Sequence, residues 1–234
     1  MLKEKIRDII FGPPPRGLDR TQGASEIHVN GNGSAAGAAP AGWERHSHGL
    51  EQFFGAVGTQ GGLSILDLGE INQTKVSFIT DLGHKLYSED FLYALNRHFT
   101  NNEALHAHAD SSQVEAFLDD TLGFPPGQFD GVMVWDTLEY LPRPLMGVVV
   151  ERLLRILRPR GCMLALFHTE EKSPSVPLYS FRIADAGTLV LHPKGQRRPA
   201  QHFNNRAIEK LFQEFRSVKF FLTRDQLREV IVRR

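Results

Sequence analysis

An α/β domain with a Rossmann-like, doubly wound and mainly parallel sheet, finished by an antiparallel C-terminal strand, is the fold class the sequence predicts. Three observations predict it. The apolar runs Leu63 to Leu68 and Phe129 to Trp135 each carry an acid at or near the carboxyl end, as buried parallel strands do where they meet a ligand. Between and after them, apolar residues recur at three- and four-residue intervals, so strand and helix signals alternate. Near the C-terminus, Val218 to Leu222 and Leu227 to Val232 are separated by a turn around Arg224-Asp225-Gln226, too short for a parallel crossover.

Each element follows from local pattern. Leu2, Ile6, Ile9 and Ile10 share one face of a short amphipathic helix over residues 1–11. Residues 12–42 hold Gly12-Pro13-Pro14-Pro15 and a Gly/Ala-rich stretch to Pro40, with few large apolar side chains to offset the entropy of ordering, and read as a linker. The domain proper is expected over residues 43–234. Trp43 to Val57 reads as its first helix, with Leu50, Phe53 and Phe54 at core spacing. Leu63 to Leu68 is the first strand, and residues 72–82 form a helix through Val76, Ile79 and Leu82 that stops at Gly83. Lys85 to Ser88 is a short second strand running into Glu89-Asp90. A third strand is placed near Glu115 to Leu118, where a helix fits the pattern equally. Phe129 to Asp136 is a central strand. Leu145, Met146, Val149, Val150, Leu153, Ile156 and Leu157 define a helix over 143–157, stopped by Arg158-Pro159-Arg160-Gly161 before the strand Cys162 to Phe167. Asn204 or Asn205 caps a helix holding Ile208, Leu211, Phe212 and Phe215.

Composition excludes several classes. Lys plus Arg and Asp plus Glu both number 27, so no global charge argues for nucleic acid or an anionic membrane. The distribution is bipolar: residues 51–140 hold 14 acids and 3 bases, and residues 190–234 hold 11 bases and 4 acids. No aromatic interleaving of the kind seen on nucleic-acid platforms accompanies those bases. Cys162 is the single cysteine and sits in an apolar run, which excludes an intrachain disulfide and reads as a buried thiol. No apolar run approaches the roughly 18 residues needed to span a bilayer, and charges interrupt every turn of the N-terminus, so a cytoplasmic protein is expected. The helix over residues 1–11 is expected to pack on protein, within the chain or by self-association, rather than on lipid. His46 and His48, like His98, His106 and His108, read as polar surface histidines, and no metal is expected. Ser64 and Ser88 lack the glycine elbow of a hydrolase nucleophile.

The acids at strand ends carry the chemistry. In doubly wound sheets ligands bind at the carboxyl ends of the strands, and a carboxylate after the second strand suits a ribose diol because it accepts both hydroxyl hydrogens. With Leu66-Asp67-Leu68-Gly69, Phe129-Asp130 through Trp135-Asp136-Thr137-Leu138-Glu139-Tyr140-Leu141, and Leu154-Arg155-Ile156-Leu157-Arg158-Pro159-Arg160-Gly161 in that order, the chain resembles the class I S-adenosylmethionine-dependent methyltransferases from about Leu63 to the C-terminus. The resemblance implies S-adenosylmethionine as cofactor and methyl transfer to an acceptor, possibly a small molecule, that the sequence does not identify. It implies that Asp67 and Gly69 lie beside the methionine part of the cofactor and that Glu89 or Asp90 holds the ribose hydroxyls. Asp119 or Asp120 would approach the adenine, and Trp135 and Asp136 would border the sulfur and the acceptor entrance. It implies no general base. The family pattern continues Gly-x-Gly-x-Gly, whereas here Glu70-Ile71-Asn72-Gln73 follows Gly69. That departure motivates an alternative, a methyltransferase-fold binding or assembly protein without catalysis. Residues 137–142 and 168–205 are expected to build the acceptor pocket, with Lys172 to Gln201 a lid over it or a surface excursion.

Overall fold

The computed structural model describes residues 42–58, 61–99, 111–170, 173–223 and 226–234. The expected N-terminal helix, nearly all of the linker, and His106 and His108 lie outside these residues.

Six strands form the central sheet. In chain order they are β2 (Ser64–Asp67), β3 (Lys85–Ser88), β4 (Phe129–Trp135), β5 (Leu157–His168), β8 (Ser217–Leu222) and β9 (Leu227–Arg233), and their spatial order is β3-β2-β4-β5-β9-β8. β3, β2, β4 and β5 pair in parallel, while β9 runs antiparallel to both β5 and β8. The two-residue alternation of side chains divides the core between the two faces. Leu66, Val132, Val134, Ala165 and Phe167 meet Leu95, Phe117, Leu153 and Phe212 on one face. Those four partners belong respectively to α3 (Phe91–His98), α4 (Ser111–Leu122) and α5 (Arg143–Ile156), and to the end of α6 (Asn205–Leu211). Ile65, Met133, Trp135, Leu164 and Leu166 point the other way, toward Phe53 of α1 (His48–Val57) and Ile79 of α2 (Gln73–Asp81). Covered on both faces, β4 from Gly131 onward and β5 from Cys162 to Phe167 are uninterrupted apolar runs.

The second face is completed by an element the sequence pattern did not resolve. β6 (Val176–Asp185) and β7 (Thr188–Arg197) form a hairpin that β1 (Trp43–His46) joins, giving an antiparallel sheet of order β1-β7-β6. Phe181, Ile183, Leu189 and Leu191 of that hairpin are buried in the same cluster as Trp135 and Leu164. The expected lid or excursion is therefore a packed hairpin, and the expected first helix is divided. Trp43 to His46 pair with Leu191 to Thr188, and the helix begins only after Ser47, whose hydroxyl accepts the Leu50 N–H. The expected third strand at Glu115 to Leu118 is also corrected. It belongs to α4, because Phe117, Leu118 and Leu122 fall on one helical face and are all buried. The helix expected over 143–157 ends at Ile156, and Leu157 already belongs to β5. Arg160, at φ 69, and Gly161 form an irregularity inside that strand, where the register jumps from Leu157 to Cys162. Asn204 caps its helix and Gly83, at φ 78, follows α2, both as expected; Asn72 and Asp90 cap their helices as well.

Candidate functional site

A cavity of about 260 Å³ opens at the carboxyl ends of β2 and β4, beneath the β6–β7 hairpin. Gly69, Asp90, Trp135 and Asp136 line it, four of the residues predicted from sequence. Its roof is Tyr179, Phe181, Lys194 and Arg197 of the hairpin.

Asp67 ends β2 just behind this wall and is fully buried. Lys75 Nζ approaches its Oδ2 to 2.5 Å, the Trp135 indole N–H donates to its Oδ1 at 2.5 Å, and the Gly69 N–H donates to the same oxygen at 3.2 Å. Lys75 is itself 1 % exposed, so this is a buried ion pair. Helix α2 brings it there: Asn72 caps the helix by accepting the Lys75 N–H, and Lys75 and Ile79, four residues apart, are its two buried side chains. Trp135 takes φ 57, which a bulky residue adopts only when its surroundings fix it. The bond to Asp67 and a stack on Phe181, with ring centroids 5.0 Å apart, fix it here. A Cβ at Gly69 would lie 2.6 Å from Trp135 Cδ1 and 3.2 Å from Lys75 Nζ, so only glycine leaves room for both side chains. The space over the Gly69 backbone is filled by the chain's own lysine and tryptophan.

The remaining predicted residues divide. Glu89 follows β3, half-buried, and its backbone N–H donates to the Asp67 carbonyl at 2.9 Å; it stands outside the cavity wall. Asp90 caps α3 by accepting the Tyr93 N–H and also reaches the cavity. Asp119 and Asp120 are on α4 rather than at a strand end, and neither lines the cavity. Asp119 pairs with Arg152 at 3.7 Å, and Asp120 pairs with Arg97 and lies 3.3 Å from His98.

Behind Asp136 lies a second buried group that sequence reading missed. Glu139, in the 3-10 turn Thr137–Tyr140, accepts the His168 backbone N–H at 2.9 Å, and its other oxygen stands 2.6 Å from His168 Nδ1. Burial raises the Glu139 carboxyl, and the His168 contacts only partly reverse this. Burial would lower His168, but its hydrogen bond to Glu139 and the Glu139 charge outweigh it, so the imidazole is held above its usual range. Burial, together with the negative Glu139, pushes Asp136 up to about 7, against the opposing His168 charge. The Tyr140 hydroxyl donates to Asp136 Oδ2 at 3.3 Å, and Arg197 lies over the Tyr140 ring, 4.7 Å from its centre. At the cavity mouth burial would raise Glu70, but the hydrogen bonds from Lys194 and Ser180 and the charges of Lys194 and Lys75 together outweigh it and hold the carboxyl low. The cavity thus has a cationic roof, an acid near neutrality on its floor, and a buried carboxylate–ammonium pair in its wall.

No family model matches the chain, and no curated protein does. Among solved structures it is similar to 1,6-didemethyltoxoflavin-N1-methyltransferase of Burkholderia thailandensis, determined with 1,6-didemethyltoxoflavin and S-adenosylhomocysteine bound. Identity is 11 %, the match covers 80 % of this chain and 76 % of the other, and the TM-score is 0.45. A SAM-dependent methyltransferase of Methanosarcina mazei matches at 15 % identity, covering 79 % of this chain and 96 % of its own, with TM-score 0.43. One from Aquifex aeolicus matches at 13 % identity over 79 % and 88 %, with TM-score 0.40. By its own strand order, parallel through β5 and reversed at β9, the chain has a Rossmann-like, mainly parallel α/β fold with an antiparallel C-terminal strand pair.

Proposed function

We propose that the chain is an S-adenosylmethionine-dependent methyltransferase acting on a small-molecule acceptor. The observation that carries the proposal is the Asp67–Lys75 pair beside Gly69 and Trp135. An α-amino acid head carries one ammonium and one carboxylate, and this pair offers the complementary carboxylate and ammonium at one point. The donor set therefore fits the methionine part of the cofactor, provided that the pair opens to receive it.

When bound, S-adenosylmethionine supplies an activated methyl group on a sulfonium. The chain's contribution is placement. Asp67 would hold the ammonium and Lys75 the carboxylate, while Glu89 or Asp90 would accept the ribose hydroxyl hydrogens. Trp135 and Phe181 would exclude water from the reacting region. Asp136, poised near neutrality at the cavity floor, would take the proton that an acceptor hydroxyl or amine gives up. Asp119 and Asp120, engaged with arginines on α4, have no part in this reading.

A second reading, a methyltransferase-fold binding protein without turnover, is favoured by one observation: Lys75 and Trp135 occupy the space above Gly69, and no further glycine follows it. Calorimetric titration separates the two readings. S-adenosylmethionine is expected to bind the wild type. Binding should weaken by about tenfold to a hundredfold in a folded Glu89→Ala, Asp90→Ala double variant, the worth of hydrogen bonds to a charged group. Absence of binding to well-folded wild type would defeat the first reading, whereas turnover to S-adenosylhomocysteine with any acceptor would eliminate the second.

A further inference from the structure

The geometry points to a surface site for a divalent transition metal ion of the zinc class, formed by His46 Nε2, His48 Nδ1 and Glu51 Oε2 where β1 turns into α1. His46 Nε2 and His48 Nδ1 are 3.1 Å apart, and Glu51 Oε2 lies 3.6 Å from each. Ligand atoms about 2.1 Å from a common ion stand roughly 3.0 Å apart at octahedral angles and roughly 3.4 Å apart at tetrahedral ones. The three donors thus already outline one face of a coordination polyhedron, within a few tenths of an ångström. Two imidazole nitrogens and one carboxylate oxygen are the donor types that zinc, nickel and copper favour over magnesium or calcium.

The backbone beneath the donors is fixed. Residues 45, 47 and 49 turn inward and 46 and 48 outward, continuing the alternation of β1 into the first turn of α1. Arg45 pairs with the buried Glu229, and the Gly49 N–H donates to that same carboxylate at 2.5 Å. Ser47 is fully buried, accepts the Leu50 N–H, and donates its own backbone N–H to the Gly187 carbonyl at 2.7 Å. His48 and Glu51 are three residues apart on the helix and so share a face. The two imidazoles meet edge to face with centroids 4.4 Å apart, and His48 also rests on Phe221, 6.1 Å away. Holding three exposed donors on an anchored corner reduces the ordering entropy that usually weakens a surface site. Three protein donors leave the remaining positions to water, which makes the ion exchangeable. In sequence, His46-Ser47-His48 shows only two donors. The third appears when Ser47 starts the helix and brings Glu51 under both rings.

Zinc titrated into the full chain against a chromophoric chelator, with cobalt absorption as a second readout of coordination, tests the site. One equivalent should bind and raise the thermal midpoint of the wild type. A His46→Ala, His48→Ala double variant should lose more than about tenfold in affinity, since even groups that only support ligands are worth that much. Glu51→Gln should weaken binding while leaving the metal-free midpoint unchanged. Failure of the folded wild type to compete for micromolar zinc would overturn the proposal. So would equal affinity in the folded double variant, because the ion would then lie elsewhere.

Discussion

Lys75→Met is expected to lower the free energy of unfolding by about 3–5 kcal/mol, the cost of leaving one partner of a buried ion pair without the other. Asp67 is fully buried, and without Lys75 it keeps only the Trp135 indole and the Gly69 N–H as donors. Replacing both partners, as in Asp67→Leu, Lys75→Met, should recover part of the loss, because neither charge is then left buried, while the Trp135 indole and Gly69 N–H groups lose their acceptor. Urea unfolding of the three proteins measures this. A Lys75→Met loss below about 1 kcal/mol, the range of an exposed pair, would show that the pair is not a buried interaction.

The second large effect is electrostatic and has a definite sign. Asp136 is 2 % exposed and its carboxyl is raised from 3.8 to about 7. Between those values the folded protein binds a proton that the unfolded chain has released, so stability falls as pH rises from about 4 to about 7. The shift corresponds to a decline on the order of 4 kcal/mol. Asp136→Asn keeps the size and hydrogen-bonding shape of the neutral acid. It should match the wild type near pH 4 and exceed it in stability at pH 7 and above. Glu139 and His168 are also raised and favour acid pH in the same way, and both are coupled to Asp136 by charge, so the difference between wild type and variant reports Asp136 together with that coupling. Equal stability of wild type and Asp136→Asn at both pH values would sink the assignment.

How much was legible in the sequence follows from what sets each element. β4, the second half of β5 and the closing β8–β9 pair were readable because burial on both faces leaves an apolar run, and a short turn permits only an antiparallel return. At Glu115 to Leu118 strand and helix stayed open because four residues do not separate a helical period from a strand period, whereas the burial of Phe117, Leu118 and Leu122 does. The β6–β7 hairpin was hidden by its prolines, Pro177 and Pro193, which an outer sheet tolerates and a central one does not. Of the positions singled out at strand ends, Gly69, Asp90, Trp135 and Asp136 line the cavity and Asp67 lies just behind it, because the carboxyl ends of parallel strands open on one edge of the sheet. Lys75 was missed because a lysine on a helix is ordinarily solvated. Its one signal was the four-residue spacing to Ile79, which sets it on the inward face. His168 and Glu139 gave no local signal, as they lie 29 residues apart and meet only through the pairing of β4 with β5.

The most direct test of the cofactor assignment compares S-adenosylhomocysteine with 5′-deoxy-5′-methylthioadenosine, which has the same nucleoside but no amino acid head, by calorimetry on the wild type. If Asp67 and Lys75 receive that head, S-adenosylhomocysteine should bind more than about tenfold tighter, the worth of one charge-assisted hydrogen bond, and the difference should vanish in the Asp67→Leu, Lys75→Met protein. Equal affinity of the two compounds for the wild type would contradict the assignment and leave the pair as a closed part of the core.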